Sequence, residues 1–267
     1  MVRFATEKYK KDLHSLNKRC IHLTNYSVNK YSENYIENNL DFISLDQLVP
    51  NNASKWNLRM LQQKYTTLNL SFEKIFKKIK DIIIKSLITI QSHVCNKLSK
   101  SGYLQNQCFD LFGFDIIIDD ALKPWLLEVN MSPSLACSSK LDKQIKTSLL
   151  CDTLHLIGIT SYVHNEQKSI VGSFNKKSNE RTSSKIFNPY LDNFREDSVL
   201  SKKDLKLLIH LDEENKRAGS FERIFPLKSN WKSYAKYFEC ERYNDILLWK
   251  YLDAEFDYLE TYKVKAV

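Results

Sequence analysis

The stretch CFDLFGFDIIIDDALKPWLLEVNMSPSL, Cys108 to Leu135, is the most informative part of this 267-residue chain. Two runs of aromatic, β-branched and leucine side chains predict two strands that are mostly buried in a sheet. An Asp-Asp pair between the runs favours a turn, so we expect Asp119 to pair with Pro124 across a short loop. The same register places Asp115 opposite Glu128, with Cβ atoms about 5 Å apart.

The predicted pairing collects oxygen atoms on one face of the sheet. Asn130 lies two residues after Glu128 and shares its face, because side chains alternate along a strand. The carboxylates of Asp115 and Glu128 and the amide oxygen of Asn130 suit a hard cation, and Mg²⁺ held partly by substrate phosphates is the natural occupant. A solvated sheet face is the alternative, although buried carboxylates without a partner would be costly.

Composition indicates a folded chain whose core suffices for one or two domains, since 43% of the residues are hydrophobic. There are five glycines and neither a GxGxxG nor a P-loop spacing, so neither nucleotide-binding fold is supported. The six cysteines form no CxxC pair, and we expect reduced thiols rather than zinc or disulfides. No signal peptide and no apolar run of membrane-spanning length is predicted.

Hydrophobic periodicity predicts helices on both sides of the paired strands. The apolar spacing over 72–90 is helical, with lysines on the other face, and 141–157 predicts a second helix. The Asn- and Ser-rich segment 31–57 predicts a loop. Further helices are predicted at 201–217 and within 231–262.

The paired strands resemble the core of a known enzyme family. FGFDIIID (112–119), LKPWLLEVN (122–130) and SPSL (132–135) are similar to the metal-binding strands of the tubulin tyrosine ligase-like family, whose members are ATP-grasp ligases. Three more blocks resemble this family and a fourth resembles its polyglutamylating branch, in the order RFATEKY (3–9), RCIHLTNYSVNK (19–30), LDKQIKTSLLCDTLHLIG (141–158) and FERIFP (221–226).

The resemblance implies an α+β fold, the C-terminal portion of an ATP-grasp ligase domain with an antiparallel sheet and packed helices, followed by a helical tail. The implied boundaries are 1–163 for the ligase part, 164–187 for a polar linker and 188–267 for a helical C-terminal extension. In the family a long stretch precedes the block that begins this chain, including the half of the ATP-grasp that covers the nucleotide. We therefore expect these 267 residues alone to bind nucleotide poorly.

The resemblance also assigns roles to individual side chains. Arg3 and Lys146 are the implied catalytic residues, and Arg3 would grip the carboxylate of an incoming amino acid with its bidentate guanidinium. From the residues alone, the segment from His22 to Ser27 would be an extended strand end or a turn. The implied ligand contacts are Thr24 and Asn25 for ATP, Arg3, Tyr26, Ser27, Lys55 and Lys146 for the amino acid, and Asp115, Glu128 and Asn130 for Mg²⁺.

The activity implied is an ATP- and Mg²⁺-dependent ligation of a carboxylate to an amine. A glutamate side chain on a tubulin C-terminal tail would become an acyl phosphate, which the amine of free L-glutamate attacks. The cations Arg3, Lys55 and Lys146 suit a donor with an additional carboxylate. The expected partners are L-glutamate and the tails of α/β-tubulin or microtubules. We expect a monomer in the cytoplasm, on the microtubule cytoskeleton, with the cilium or basal body as candidate locations.

Three alternatives stay open. One is a truncated, non-catalytic microtubule-binding or regulatory protein of the same family, and another is a ligase that uses glycine or tyrosine. The third is a basic nucleic-acid-binding module, because a net charge of +8 implies an acidic partner without naming it. No nucleic-acid-binding signature occurs in the sequence, so we expect no such partner. A solvated lysine-rich surface would give the same net charge.

Overall fold

The computed structural model describes residues 1–38, 52–101, 108–158, 202–239 and 242–253. These residues form helices and two small antiparallel sheets, in agreement with the predicted α+β class. The chain divides into two compact units, the first made of 1–153 with 233–239 and the second of 154–232 with 240–267. Every residue with a predicted role in the site belongs to the first unit.

The first unit begins with a two-stranded antiparallel sheet. Strand β1 (Val2–Arg3) pairs with β2 (Lys55–Trp56), and this pairing places Arg3 opposite Lys55. β2 lies at the end of the segment that the sequence predicted to be a loop, so the prediction was wrong there. The strand is stabilised because the indole side chain of Trp56 is buried in a small apolar cluster with Ala53, Met60 and Val2.

Short helical segments follow β1. They are a 3₁₀ turn (Leu13–Ser15), helix α1 (Arg19–His22) and helix α2 (Tyr26–Asn29). The extended strand end or turn predicted for His22 to Ser27 is limited to the connection between the two helices, where Leu23 and Asn25 have extended backbone angles. The backbone N–H groups of Val28 and Asn29 both donate to the carbonyl oxygen of Asn25 at 3.0 Å, and these bonds close the helical turn.

Two longer helices follow β2 and contact each other, α3 (Leu58–Thr67) and α4 (Phe72–Ser101). α3 begins at Asn57, whose side-chain oxygen accepts a hydrogen bond from the N–H of Met60 at 2.8 Å, an N-cap. α4 confirms the helix predicted for 72–90 and continues to its end at Ser101.

The two halves of α4 differ in exposure. Lysines 74, 77 and 78 are exposed near its start, as the amphipathic pattern predicts. Farther along, Ile84 and Ile88 are buried although they lie on the lysine side of the helix, and residues 233–239 of the same unit contact that side at Asp81 and Lys85. The hydroxyl of Tyr234 donates to Asp81 Oδ1 at 2.8 Å within this contact. The prediction of one apolar face therefore holds for the first turns only.

The predicted antiparallel pair is formed by β3 (Gly113–Ile118) and β4 (Pro124–Asn130). Asp115 lies opposite Glu128, as predicted. A β-bulge next to Asp115 shifts the register by one residue between this pair and the turn.

The turn of the hairpin differs from the prediction by one residue, since Ile118 rather than Asp119 lies opposite Pro124. Asp119 instead uses its side chain to close the turn. Its Oδ1 accepts from the backbone N–H of Lys123 and its Oδ2 accepts from the indole N–H of Trp125, each at 2.8 Å. A carboxylate that accepts both bonds favours a turn over a strand position.

The prediction that both strands are buried was wrong. On β4, Trp125 is 49% exposed and Leu127 is 63% exposed. Helix α4 contacts β4, but a two-stranded sheet needs a layer on each face to bury it completely. Within the part of the chain that the structure describes, most apolar side chains of β4 are thus exposed, whereas those of β3 are mostly half-buried.

Helix α5 (Lys140–Leu156) confirms the helix predicted for 141–157. α6 (Lys202–Lys216) and α8 (Tyr243–Asp253) belong to the second unit, and α7 (Trp231–Ala235) begins in the second unit and ends in the first. All three lie where helices were predicted. Their apolar contacts include Leu208 with Leu247 and a stacked ring pair, Trp231 and Trp249. The predicted linker 164–187 lies outside the described residues. Among the helices described, none is long and apolar enough to cross a membrane.

Candidate active site

Arg3 connects the N-terminal sheet to the β3–β4 hairpin. One of its terminal nitrogens donates to Asp115 Oδ2 at 2.8 Å, and each of the two side chains is about one-third exposed. The ion pair brings the arginine predicted to bind the amino acid next to a predicted Mg²⁺ ligand. Because a guanidinium carries five N–H donors, Arg3 can hold Asp115 and still offer donors to a second carboxylate.

The three predicted Mg²⁺ ligands lie close together on the hairpin. Asp115 is opposite Glu128, and the side-chain amide of Asn130 donates to Glu128 Oε1 at 3.1 Å. Glu128 is exposed, so its oxygens are accessible to a cation. Two carboxylates and one amide oxygen fit Mg²⁺, which retains waters and phosphate oxygens as further ligands. Within the described residues, no cluster of three or more His, Cys, Asp or Glu side chains could hold a metal.

Lys55 lies in a buried polar cluster and is only 5% exposed. Its ammonium group donates to Asp142 Oδ2 and to Ser138 Oγ, both at 2.9 Å, and lies 4.3 Å from the centre of the Tyr26 ring. The sequence assigned Lys55 and Tyr26 to one amino-acid site, and the structure brings the two side chains together. It adds Asp142 and Ser138, which the sequence did not single out.

Asp142 balances the charge of Lys55. Burial raises the pKa of the Asp142 carboxyl group, but hydrogen bonds from Ser138 and Lys55 and the charge of Lys55 together lower it below its ordinary value of 3.8. The group is therefore ionised at neutral pH, and the two residues form a buried ion pair. In the sequence, Ser139 followed three residues later by Asp142 indicates only the start of a helix. The structure agrees, since the Asp142 N–H donates to Ser139 Oγ. The ion-pair partner of Asp142 lies 87 residues earlier.

The residues predicted to contact ATP lie between α1 and α2. Thr24 is half-buried and Asn25 is exposed. Asn25 occupies the N-cap position of α2, but its side chain makes no capping hydrogen bond. Ser27 is also exposed, in the first turn of α2. The polar groups of Asn25 and Ser27 are thus accessible from solvent.

Asn29 holds this connection in place and was missed by the sequence analysis. It is 1% exposed, and its amide nitrogen donates to the carbonyl oxygens of Leu23 at 2.7 Å and of Asn25 at 3.3 Å. Its amide oxygen accepts from the hydroxyl of Thr6 at 2.9 Å. A buried side chain with three partners fixes the backbone from which Thr24 and Asn25 project.

Replacing Asn29 with alanine is expected to lower the free energy of unfolding by about 1–3 kcal/mol, because it leaves buried backbone oxygens without their donor. Urea unfolding followed by circular dichroism measures the change. The control is Asn34→Ala at an exposed position, which should change stability by no more than about 0.5 kcal/mol. Equal effects of both substitutions would show that Asn29 does not fix this connection.

Lys146 contacts a different part of the site. It lies on α5, and its ammonium group donates to the carbonyl oxygen of Ala136 in the connection that follows β4. The structure therefore does not join Lys146 directly to the cluster of Lys55 and Tyr26. Its predicted role in binding and catalysis stays a prediction.

Comparison with known proteins shows the family. Residues 1–170 match the protein family described as the tubulin-tyrosine ligase family. The chain belongs to the tubulin-tyrosine ligase family. The resemblance predicted from the short blocks is confirmed, and the branch agrees, since the similar proteins are named as tubulin mono- and polyglutamylases.

Within this family, the chain is 34% identical to human tubulin monoglutamylase TTLL4, over 92% of this chain and 22% of that protein. It is 35% identical to mouse tubulin polyglutamylase TTLL6, over 90% of this chain and 27% of that protein. It is 29% identical to human tubulin polyglutamylase TTLL5, over 90% of this chain and 20% of that protein. The chain thus spans about a quarter or less of the length of these relatives.

Proposed function

We propose that this chain forms the amino-acid-binding and metal-binding part of an ATP-dependent ligase that adds L-glutamate to glutamate side chains of tubulin C-terminal tails. The observation that carries the proposal is the contact between Lys55 and Tyr26, with Arg3 on the strand position opposite Lys55. The names of its relatives, which are glutamylases of tubulin, support glutamate as the donor.

The donor would be held by two cations from paired strands. Directly opposite residues in an antiparallel pair have Cα atoms about 4.5–5.5 Å apart, so Arg3 and Lys55 can reach the two ends of a small molecule. Lys55 uses two of its three N–H donors on Asp142 and Ser138, which leaves one for a ligand carboxylate. Glutamate carries two carboxylates, whereas glycine and tyrosine carry one.

The nucleotide and metal would be held by neighbouring groups. Thr24 and Asn25 would contact ATP, and Asp115, Glu128 and Asn130 would hold Mg²⁺. Bound ATP would supply the phosphoryl group that converts the acceptor carboxylate into an acyl phosphate, with ADP as the leaving group, and Mg²⁺ would neutralise charge on the phosphates. The residues of the chain contribute by position and charge, with Arg3 and Lys146 offsetting the negative charge around the attacking amine. The partners would be tubulin tails on cytoplasmic microtubules, and the ligase would act as a monomer.

The direct test is transfer of radiolabelled amino acids to tubulin by the purified protein at saturating ATP, because these 267 residues alone are expected to bind nucleotide poorly. Labelled glutamate should be incorporated only when ATP and Mg²⁺ are present, and glycine and tyrosine should be incorporated much more slowly. Faster incorporation of glycine or tyrosine would contradict the proposed donor. Binding to microtubules with no transfer of any donor would contradict the ligase proposal and favour a non-catalytic binding protein.

A further inference from the structure

Three lysines near the start of α4 form an exposed basic stripe. Lys74, Lys77 and Lys78 lie within about 100° of one another around the helix axis, because successive residues of an α-helix are rotated by about 100°. All three side chains are exposed. Within the part of the chain that the structure describes, none of them belongs to an ion pair.

The two carboxylates nearest to this lysine stripe along α4 do not form ion pairs with it. Asp81 lies one turn farther along the helix, but it already accepts from Lys85 at 2.8 Å and from the hydroxyl of Tyr234 at 2.8 Å. Glu73 is four residues before Lys77, the spacing of a favourable helical pair, yet the two form no ion pair in the structure.

The position of the lysine stripe is unfavourable for the helix itself. Lys74 and Lys77 are three residues apart, and Lys74 and Lys78 are four residues apart, so their like charges repel. The stripe also lies in the first two turns of a 30-residue helix, where the helix dipole disfavours cations. The same arrangement raises the positive potential at one exposed place, which suits the binding of a negatively charged partner.

We propose that the lysine stripe binds an acidic, extended peptide segment rich in glutamate. Lys74 and Lys78 are separated along the helix axis by about 6 Å. Alternate side chains of an extended peptide project from one side at about 6.6 Å intervals, so glutamates two residues apart can meet both lysines. Only the identification of the natural segment as a tubulin tail rests on the proposed function. The binding itself does not require ligase activity.

Fluorescence anisotropy of a fluorescein-labelled poly-L-glutamate peptide, mixed with the purified protein at low salt, tests whether the lysine stripe binds such a segment. The triple variant Lys74→Gln, Lys77→Gln, Lys78→Gln should raise the Kd about tenfold, and the effect should shrink as salt is added. The matched control is Lys10→Gln, Lys11→Gln, Lys18→Gln, which removes the same charge from exposed positions. The control should raise the Kd less than about twofold. Thermal unfolding should show no loss of stability in the stripe variant, because it removes repulsion.

Other outcomes would overturn the inference. Equal effects of the two triple variants would show that net charge, and not the lysine stripe, attracts the peptide. Tighter binding of poly-uridylate RNA than of the peptide, lost in the stripe variant, would make the stripe a nucleic-acid site. If the peptide binds through the stripe but labelled glutamate is never transferred, the inference stands and the proposed ligase function fails.

Discussion

Replacing Asp142 with alanine is expected to lower the free energy of unfolding by about 3–5 kcal/mol. Lys55 and Asp142 have side chains that are 6% and 3% exposed, so the substitution leaves a buried ammonium group without its counter-charge. Ser138 would keep one hydrogen bond to Lys55 but cannot balance its charge. Urea unfolding of the wild type and the variant, followed by circular dichroism, measures the difference.

Two controls separate the buried pair from ordinary surface charge. The double variant Lys55→Met, Asp142→Leu removes both charges and should recover most of the lost stability, since neither partner is left buried alone. Asp212→Ala breaks an exposed pair with Lys216 and should cost only about 0.5 kcal/mol. A loss at Asp142 no larger than the loss at Asp212 would show that the Lys55 pair is not buried in solution.

The same pair makes stability depend on pH. The pKa of Asp142 is lower in the folded protein than its ordinary value of 3.8, so the folded state favours the ionised form. The stability that this group contributes is present above pH 3.8 and is lost as pH falls through the folded-state pKa. The unfolding free energy of the wild type should therefore fall more in acid than that of the Lys55→Met, Asp142→Leu variant, which lacks the group.

Replacing Glu128 with glutamine is expected to reduce glutamate transfer by roughly 100-fold or more. The side chain is exposed on β4, and an amide in place of the carboxylate removes one of the two charges offered to Mg²⁺. The amide oxygen can still accept the hydrogen bond from Asn130, so the fold should be retained. Transfer of labelled glutamate to tubulin measures the loss.

A measurement of metal binding tests whether the loss of glutamate transfer in Glu128→Gln comes from a weakened metal site. Binding of Mn²⁺ as a probe for Mg²⁺, followed by electron paramagnetic resonance, should weaken at least about tenfold in Glu128→Gln. Asp120→Asn is the matched control, because it removes a carboxylate from an exposed position on the same hairpin. It should leave both metal binding and transfer nearly unchanged. Unaltered Mn²⁺ binding in Glu128→Gln would show that Glu128 is not a metal ligand.

Local patterns in the sequence predicted the parts of the fold that depend on neighbours along the chain. The hairpin follows from two apolar runs with a turn between them, and Asp115 lies opposite Glu128 as predicted because the β-bulge compensates for the one-residue difference at the turn. The start of α4 and the limits of α5 follow from helical periodicity. The family was also recognisable, because several short blocks that resemble it occur along the chain, most of them within the matched residues 1–170.

The predictions that failed depend on individual side chains. The turn register was wrong because Asp119 binds Lys123 and Trp125, and spacing alone does not show such bonds. The helical turn that begins at Tyr26 was missed, because the buried amide of Asn29 fixes the connection before it through bonds to Leu23 and Asn25 that residue types alone do not show. The pairing of Lys55 with Asp142 is a tertiary contact between distant segments, which no local pattern reveals.

The measurement that tests the ligase proposal most directly is mass spectrometry of tubulin C-terminal peptides after incubation with the purified protein, ATP, Mg²⁺ and L-glutamate. We expect mass increments of whole glutamate residues, with fragment ions that locate each addition on a glutamate side chain of the tail. Omitting ATP should abolish the increments. Tails of unchanged mass, under conditions in which a tubulin glutamylase of the same family modifies them, would contradict the proposal.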